Sequence, residues 1–353
     1  MRGRIKKKIN FGGDNMDKSL KMKIGAGLAA LAIVVTGGGY YYFHMKSDEP
    51  ATAIKAVSRS IEKHDVKGFH QAVDVDSFLD SGYAGFVDGL TAFDKSMTPD
   101  AREAIKTFTE MLHAPLMLSL KSAIDSYVAT GDPNLRENIG VVEILQRTGL
   151  NDIEVRDVRN IQLNDANRNE AFADVIIFQP ELGKEFPIQI TLARNDDNQW
   201  RIMRVQNFQE YVSEIAEARR ILLDEYLAKA GEINSRHEAI IRDAEQKYGS
   251  ILAIGNLGQD KTRADLKVLM TDVIKKDWEE RKQELFSLRV PKDAEALQNL
   301  YMQICDLSIA AAQDYAKWMD DKNSATIKSA EGKIHQAQTL NSEAMSIAKR
   351  MTS

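Results

Sequence analysis

The six histidines of this chain, His44, His64, His70, His113, His237 and His335, are the side chains best suited to move protons or hold a metal near neutral pH. None stands in H-E-x-x-H or in any other paired ligand spacing. His64 and His70 bracket a helix junction, where partly buried structural histidines are expected. Asp74, Asp76 and Asp80 resemble the start of a calcium loop, but the glycine required at the sixth position is missing and Phe78-Leu79 intrude. That stretch reads as a helix start. Cys305 is the single cysteine, which excludes an intramolecular disulfide and any multi-cysteine metal site. It follows Ile304 on an apolar helix stripe without an evident neighbouring base, so a packed thiol is expected. No phosphate-binding glycine loop, serine elbow or redox motif occurs, and the sequence assigns no catalytic, cofactor-binding or metal-binding residue.

The elements that position these groups belong to a chain of 353 residues, long enough for two folded units and a smaller segment. With 43% hydrophobic and 28% charged residues it can bury real cores and is neither disordered nor polytopic. The net charge of −5 hides a split. Residues 1–23 carry +6, a basic N-terminus, and the rest carries −11. An acidic body argues against nucleic acid as a partner, since that affinity comes mostly from cations neutralising phosphates.

Residues 24–43, IGAGLAALAIVVTGGGYYYF, hold no charge over twenty positions and would span about 30 Å as a helix. Tyr40, Tyr41, Tyr42 and Phe43 close the run as an aromatic belt. The expectation is one transmembrane helix in contact with membrane lipid, with residues 1–23 cytoplasmic and the body extracytoplasmic, because the lysines and arginines precede the span. Ala51-Thr52-Ala53 fits a signal-peptidase site but lies behind a charged stretch and Pro50, so an uncleaved anchor is the better reading. Gly12-Gly13-Asp14-Asn15 before Met16 looks like a translated ribosome-binding site, which places the expected start at Met16.

From residue 50 to 207 the pattern is α+β. Ile54, Val57 and Ile61 mark a helix ending near Asp65, a short helix begins at Gly68-Phe69, and a third carries Phe78 to Phe93. Thr98-Pro99 starts a fourth, with apolar positions from Ile105 through Phe108, Leu112, Leu120 and Tyr127 to Gly131 and a kink at Pro115. Leu135 to Gly149 predicts a further helix. The period then becomes two, giving strands at 153–163, 169–179, 185–194 and 199–206 in an antiparallel meander. Phe186, Ile188, Ile190 and Leu192 offer the helices one apolar face. This order of elements, with Ala171-Phe172-Ala173-Asp174-Val175 and the closing Trp200-Arg201-Ile202-Met203-Arg204-Val205, resembles bacterial membrane-anchored proteins of the cystatin-like, nuclear-transport-factor-two-like class. The resemblance implies helices packed on a curved sheet, often around a pocket. Proton-transfer enzymes of that class place an acid or a histidine inside the pocket, which makes Asp174 the carboxyl to inspect, although strand alternation favours a solvent-facing position.

From 208 to 353 the expectation is a helical hairpin pair or bundle. Phe208, Val212, Ile215, Tyr226, Ile233, His237, Ala244 and Tyr248 predict one long helix ended by Gly249, Gly255 and Gly258. A second runs from Leu266 to Leu285, a third from Leu297 to Trp318, and a fourth is capped by Ser324. Ala330, Ala337 and Ala344 stand seven apart and predict close approach to a partner helix. Ile240, Ile241, Ile251 and Leu252 are surplus apolar positions available to an envelope protein or a second copy. Two functions fit: a noncatalytic binding module tethered in the cell envelope, or a pocket-containing enzyme or small-ligand receptor on the α+β unit.

Overall fold

A computed structural model describes residues 49–93, 98–134, 142, 145, 146 and 148–352. The expected membrane span at 24–43, the start at Met16 and most of the helix expected before Gly149 lie outside these residues. Among the described residues no helix is long and apolar enough to cross a membrane. The chain forms two compact units, Met1–Ala218 and Arg219–Ser353.

The first unit is α+β. Helices α1 (Ala51–Glu62), α2 (Val66–Ala72), α3 (Val75–Phe93) and α4 (Pro99–Thr130) precede strands β1 (Glu154–Leu163), β2 (Glu170–Gln179), β3 (Lys184–Arg194) and β4 (Trp200–Val205). The strands pair antiparallel in the order β1-β2-β3-β4, each within a residue or two of its predicted span. β2 and β3 pair without a shift from Glu170↔Ala193 to Gln179↔Lys184, because the Pro180 to Gly183 turn supplies a left-handed glycine at φ 64°. Phe186, Ile188, Ile190 and Leu192 all face the core, where Phe69, Phe78, Ile124 and Trp200 meet them. The first turns of α5 (Phe208–Ile254) belong to this core through Phe208, Tyr211, Val212 and Ile215. They are why the boundary between units falls after Ala218, about three helical turns beyond the change of period at Asn207. Gly85 and Gly89 on α3 let those turns come close: a Cβ on Gly89 would stand 2.9 Å from Val212 Cβ.

Capping chemistry fixes the helix ends. The Thr98 hydroxyl accepts from Ala101 N–H at 3.2 Å with Pro99 at the first helical position, and Gly131 ends α4 at φ 76°. α4 remains one helix through Pro115. Its buried apolar residues lie in the C-terminal half: Leu120, Ile124 and Val128 are buried, whereas Phe108, Met111 and Leu118 are more than half exposed. The stripe expected to be core along the whole helix is therefore core along half of it.

The second unit is helical. It holds the rest of α5, then α6 (Asp260–Val268), a π-helical segment (Leu269–Lys275), α7 (Lys276–Phe286), α8 (Glu295–Asp321) and α9 (Ser324–Thr352). α5 passes Gly249 and stops before Gly255, since one interior glycine costs only about 1 kcal/mol and neighbours override it. α9 lies along α8, and Ala330, Ala337 and Ala344 are buried at 0, 6 and 0% exposure in that seam. The cap of α9 is Asn323, whose side chain accepts from Ala325 N–H at 2.8 Å, not the expected Ser324. Arg263 ties the loop after α5 to the last turn of α8 by donating to the Leu257 carbonyl at 2.7 Å and the Met319 carbonyl at 3.1 Å.

Candidate functional site

The residues singled out from sequence are distributed as structural partners. Asp74 caps α3 by accepting from Ser77 N–H at 3.2 Å, as a helix start requires. Asp76 pairs with Lys121 at 2.7 Å and Asp80 with His113 at 3.1 Å, so the three carboxylates point to separate neighbours. His64 Nδ1 donates to the Val128 carbonyl, and His70 stands 2.7 Å from Asp125. These pairs stitch α1 to α3 onto α4. Asp174 accepts from Asn160 at 2.7 Å on the sheet face opposite the core residues Ala173 and Val175. Among the described residues no group of three or more His, Cys, Asp and Glu side chains is placed to hold a metal ion.

Chemistry concentrates instead inside the helical unit. His237 on α5 and Asp277 on α7 stand 2.7 Å apart, Nδ1 to Oδ1, with both side chains 3% exposed. His237 Nε2 and Asp277 Oδ2 are buried without a hydrogen-bond partner. Burial raises the Asp277 carboxyl above its usual range, partly offset by the hydrogen bond from His237. One turn on, Arg281 is 6% exposed. Its Nε donates to Asn234 Oδ1 at 2.9 Å, and its guanidinium carbon lies 4.5 Å from the Trp278 ring centroid. Its terminal nitrogens have no hydrogen-bond partner among the described residues. Tyr226 donates to Gln298 at 2.8 Å, and Gln298 donates to the Leu285 carbonyl near the end of α7, which also accepts from Leu288 N–H.

Beside this cluster the four helical walls leave a groove of about 710 Å³. α5 contributes Ile241 and Tyr248, the π-helical segment and α7 contribute Met270, Ile274, Trp278 and Arg281, and α8 and α9 close it with residues such as Tyr315 and Ile334. π-helical turns are rare and occur frequently at functional sites. Here the turn carries Met270 and Ile274 into the groove wall.

The groove sets the Arg281 guanidinium beside the apolar side chains of Ile241, Ile274 and Trp278. The His237–Asp277 pair is shut away from the groove solvent, so substrate cannot reach it. Burial pushes the Cys305 thiol up to about 11, which keeps it protonated and unreactive at neutral pH. In the comparisons with known proteins, no family model, curated protein or solved structure matches the chain.

His237 was visible in sequence as a histidine on the apolar stripe of α5. Asp277 and Arg281 stand among the charged residues flanking Trp278, a composition that by itself fits a solvated helix surface. The signal was their spacing: Leu266, Met270, Asp277, Arg281 and Leu285 fall on one helical face, and all are buried.

Proposed function

We propose that this chain is a noncatalytic binding module held in the cell envelope, anchored by residues 24–43 with its body extracytoplasmic, and that the groove of its helical unit is the binding site. The observation that carries the reading is the groove itself: an open, largely apolar concavity within the ~300–1,000 Å³ range of ligand sites, with a buried guanidinium in its wall. Bundles build ligand sites in this way, from side chains on facing helices. The alternative, a pocket on the α+β unit, finds less support, because the helix-facing side of that sheet meets a continuous apolar cluster.

A photocrosslinking amino acid placed at Ile241, in the groove, and at Asp174, on the sheet, tests the assignment in intact cells. Adducts from position 241 and none from 174 are expected. Adducts from 174 alone, or from neither position, would overturn it.

A further inference from the structure

We infer that the groove takes a monocarboxylate with an elongated apolar body, the chemistry of a fatty acid, and that Arg281 receives its carboxylate. The inference rests on the groove being the binding site.

The groove is chemically asymmetric along its length. Arg281, Glu238 and Ile304 lie together at one end, where Cys305 and Glu238 are within electrostatic reach of the guanidinium. Tyr248 and Tyr315 lie together at the other. Glu238 to Tyr248 covers ten residues of α5, so the groove extends about 15 Å. Between its ends the walls are mostly apolar, with Trp278, Ile241, Ile274, Ala312 and Ala337, and the polar Arg242, Glu245 and Ser308 are set among them. An extended apolar chain fits that interval. A compact polar ligand would leave it unfilled.

The head group follows from how Arg281 is held. Desolvation lowers the affinity of its guanidinium for a proton, which is the electrostatic cost of burying a cation. Neighbouring groups, Glu238 and Asp277 among them, offset part of that cost from a distance, but among the described residues no carboxylate bonds the guanidinium: Nε is bonded to the neutral Asn234, Asp277 is bonded to His237, and Trp278 supplies its ring face. The terminal nitrogens, arranged as a planar fork, fit one carboxylate bidentately. Glu238, exposed on the rim, weighs against a dianion such as a phosphate ester, because a second negative charge would meet that carboxylate, and the other arginine lining the groove, Arg242, is solvent-exposed rather than buried.

The test uses the full chain in phosphatidylcholine nanodiscs, titrated with decanoate, decanol or decyltrimethylammonium against empty nanodiscs, and read by Trp278 fluorescence with Trp278→Phe as the blank. Decanoate should bind saturably and more tightly than decanol by about tenfold or more, the worth of one charge-assisted hydrogen bond. The cationic analogue should bind least. Arg281→Met should erase the preference for decanoate, Glu238→Gln should strengthen it, and Ile334→Trp should abolish binding of both by filling the groove. Melting curves show whether each variant is folded, and the comparison of analogues on the unaltered chain needs no variant. Equal affinity for decanoate and decanol would overturn the carboxylate while leaving the groove as a binding site. No saturable binding of either would overturn this inference, and the crosslink from position 241 then decides the fate of the reading beneath it.

Discussion

His237 and Asp277, forty residues apart in the chain, share a 2.7 Å hydrogen bond with both side chains closed off from solvent. The pair joins α5 to α7 next to the groove, so its energetics bear on how rigidly the walls are held. Asp277→Ala should cost about 1–3 kcal/mol by leaving the imidazole N–H unsatisfied. Replacing both residues by leucine should cost less than the two single replacements together, with guanidinium unfolding as the measurement. Strict additivity would mean the pair is not coupled.

The same pair predicts a pH slope. Burial holds the folded Asp277 carboxyl above its ordinary 3.8, so the folded state keeps this proton to higher pH than the unfolded chain. Its contribution is complete below 3.8 and is lost as pH rises through the folded value. Melting temperatures of Asp277→Asn, which cannot titrate there, should show a flatter dependence over that window than the unaltered chain.

Cys305 is 1% exposed and its thiol is pushed up to about 11 by burial, against a smaller lowering by Arg281. Ellman's reagent at pH 8 should leave the folded chain unmodified and react fully once denaturant is added. Because the folded thiol keeps its proton between 9.0 and about 11, stability should also fall as pH rises across that interval. Rapid modification of the native chain would place the thiol at the surface.

Gly89→Ala should destabilise the first unit by about 1–3 kcal/mol, since the new methyl would press on Val212 at 2.9 Å. Gly82→Ala, on the same helix with open space around it, should be neutral or mildly stabilising. A similar loss at both positions would show that backbone entropy, not contact with α5, governs them.

Much of this architecture was legible because short-range rules agreed with burial. Strand alternation in Phe186, Ile188, Ile190 and Leu192, turn residues such as Gly183, and the Thr98-Pro99 cap each had one physical solution. The misreadings came where long-range packing decided. Phe108 and Leu112 share the apolar pattern of Ile124, yet only Ile124 is buried. The unit boundary moved past Asn207 because Phe208 to Ile215 bury themselves in the sheet's core. Asn323, one residue before Ser324, took the cap because its side chain reaches Ala325 N–H. Arg281, the centre of the proposed site, could not be found from charge alone, since a buried arginine and a surface arginine are the same letter until its helix is packed.

The proposed anchor at residues 24–43 predicts that protease added to intact spheroplasts or protoplasts degrades the body of the chain. Full protection in intact cells, with cleavage only after lysis, would contradict the topology and with it the envelope location.

The groove is the centre of this account, and native mass spectrometry of the full chain ejected directly from its own membranes reads its occupancy. An occupied groove predicts a discrete added mass on the unaltered chain that is absent from a folded Ile334→Trp variant, whose indole fills the groove. A bare chain in both cases, or the same added mass on both, would contradict it.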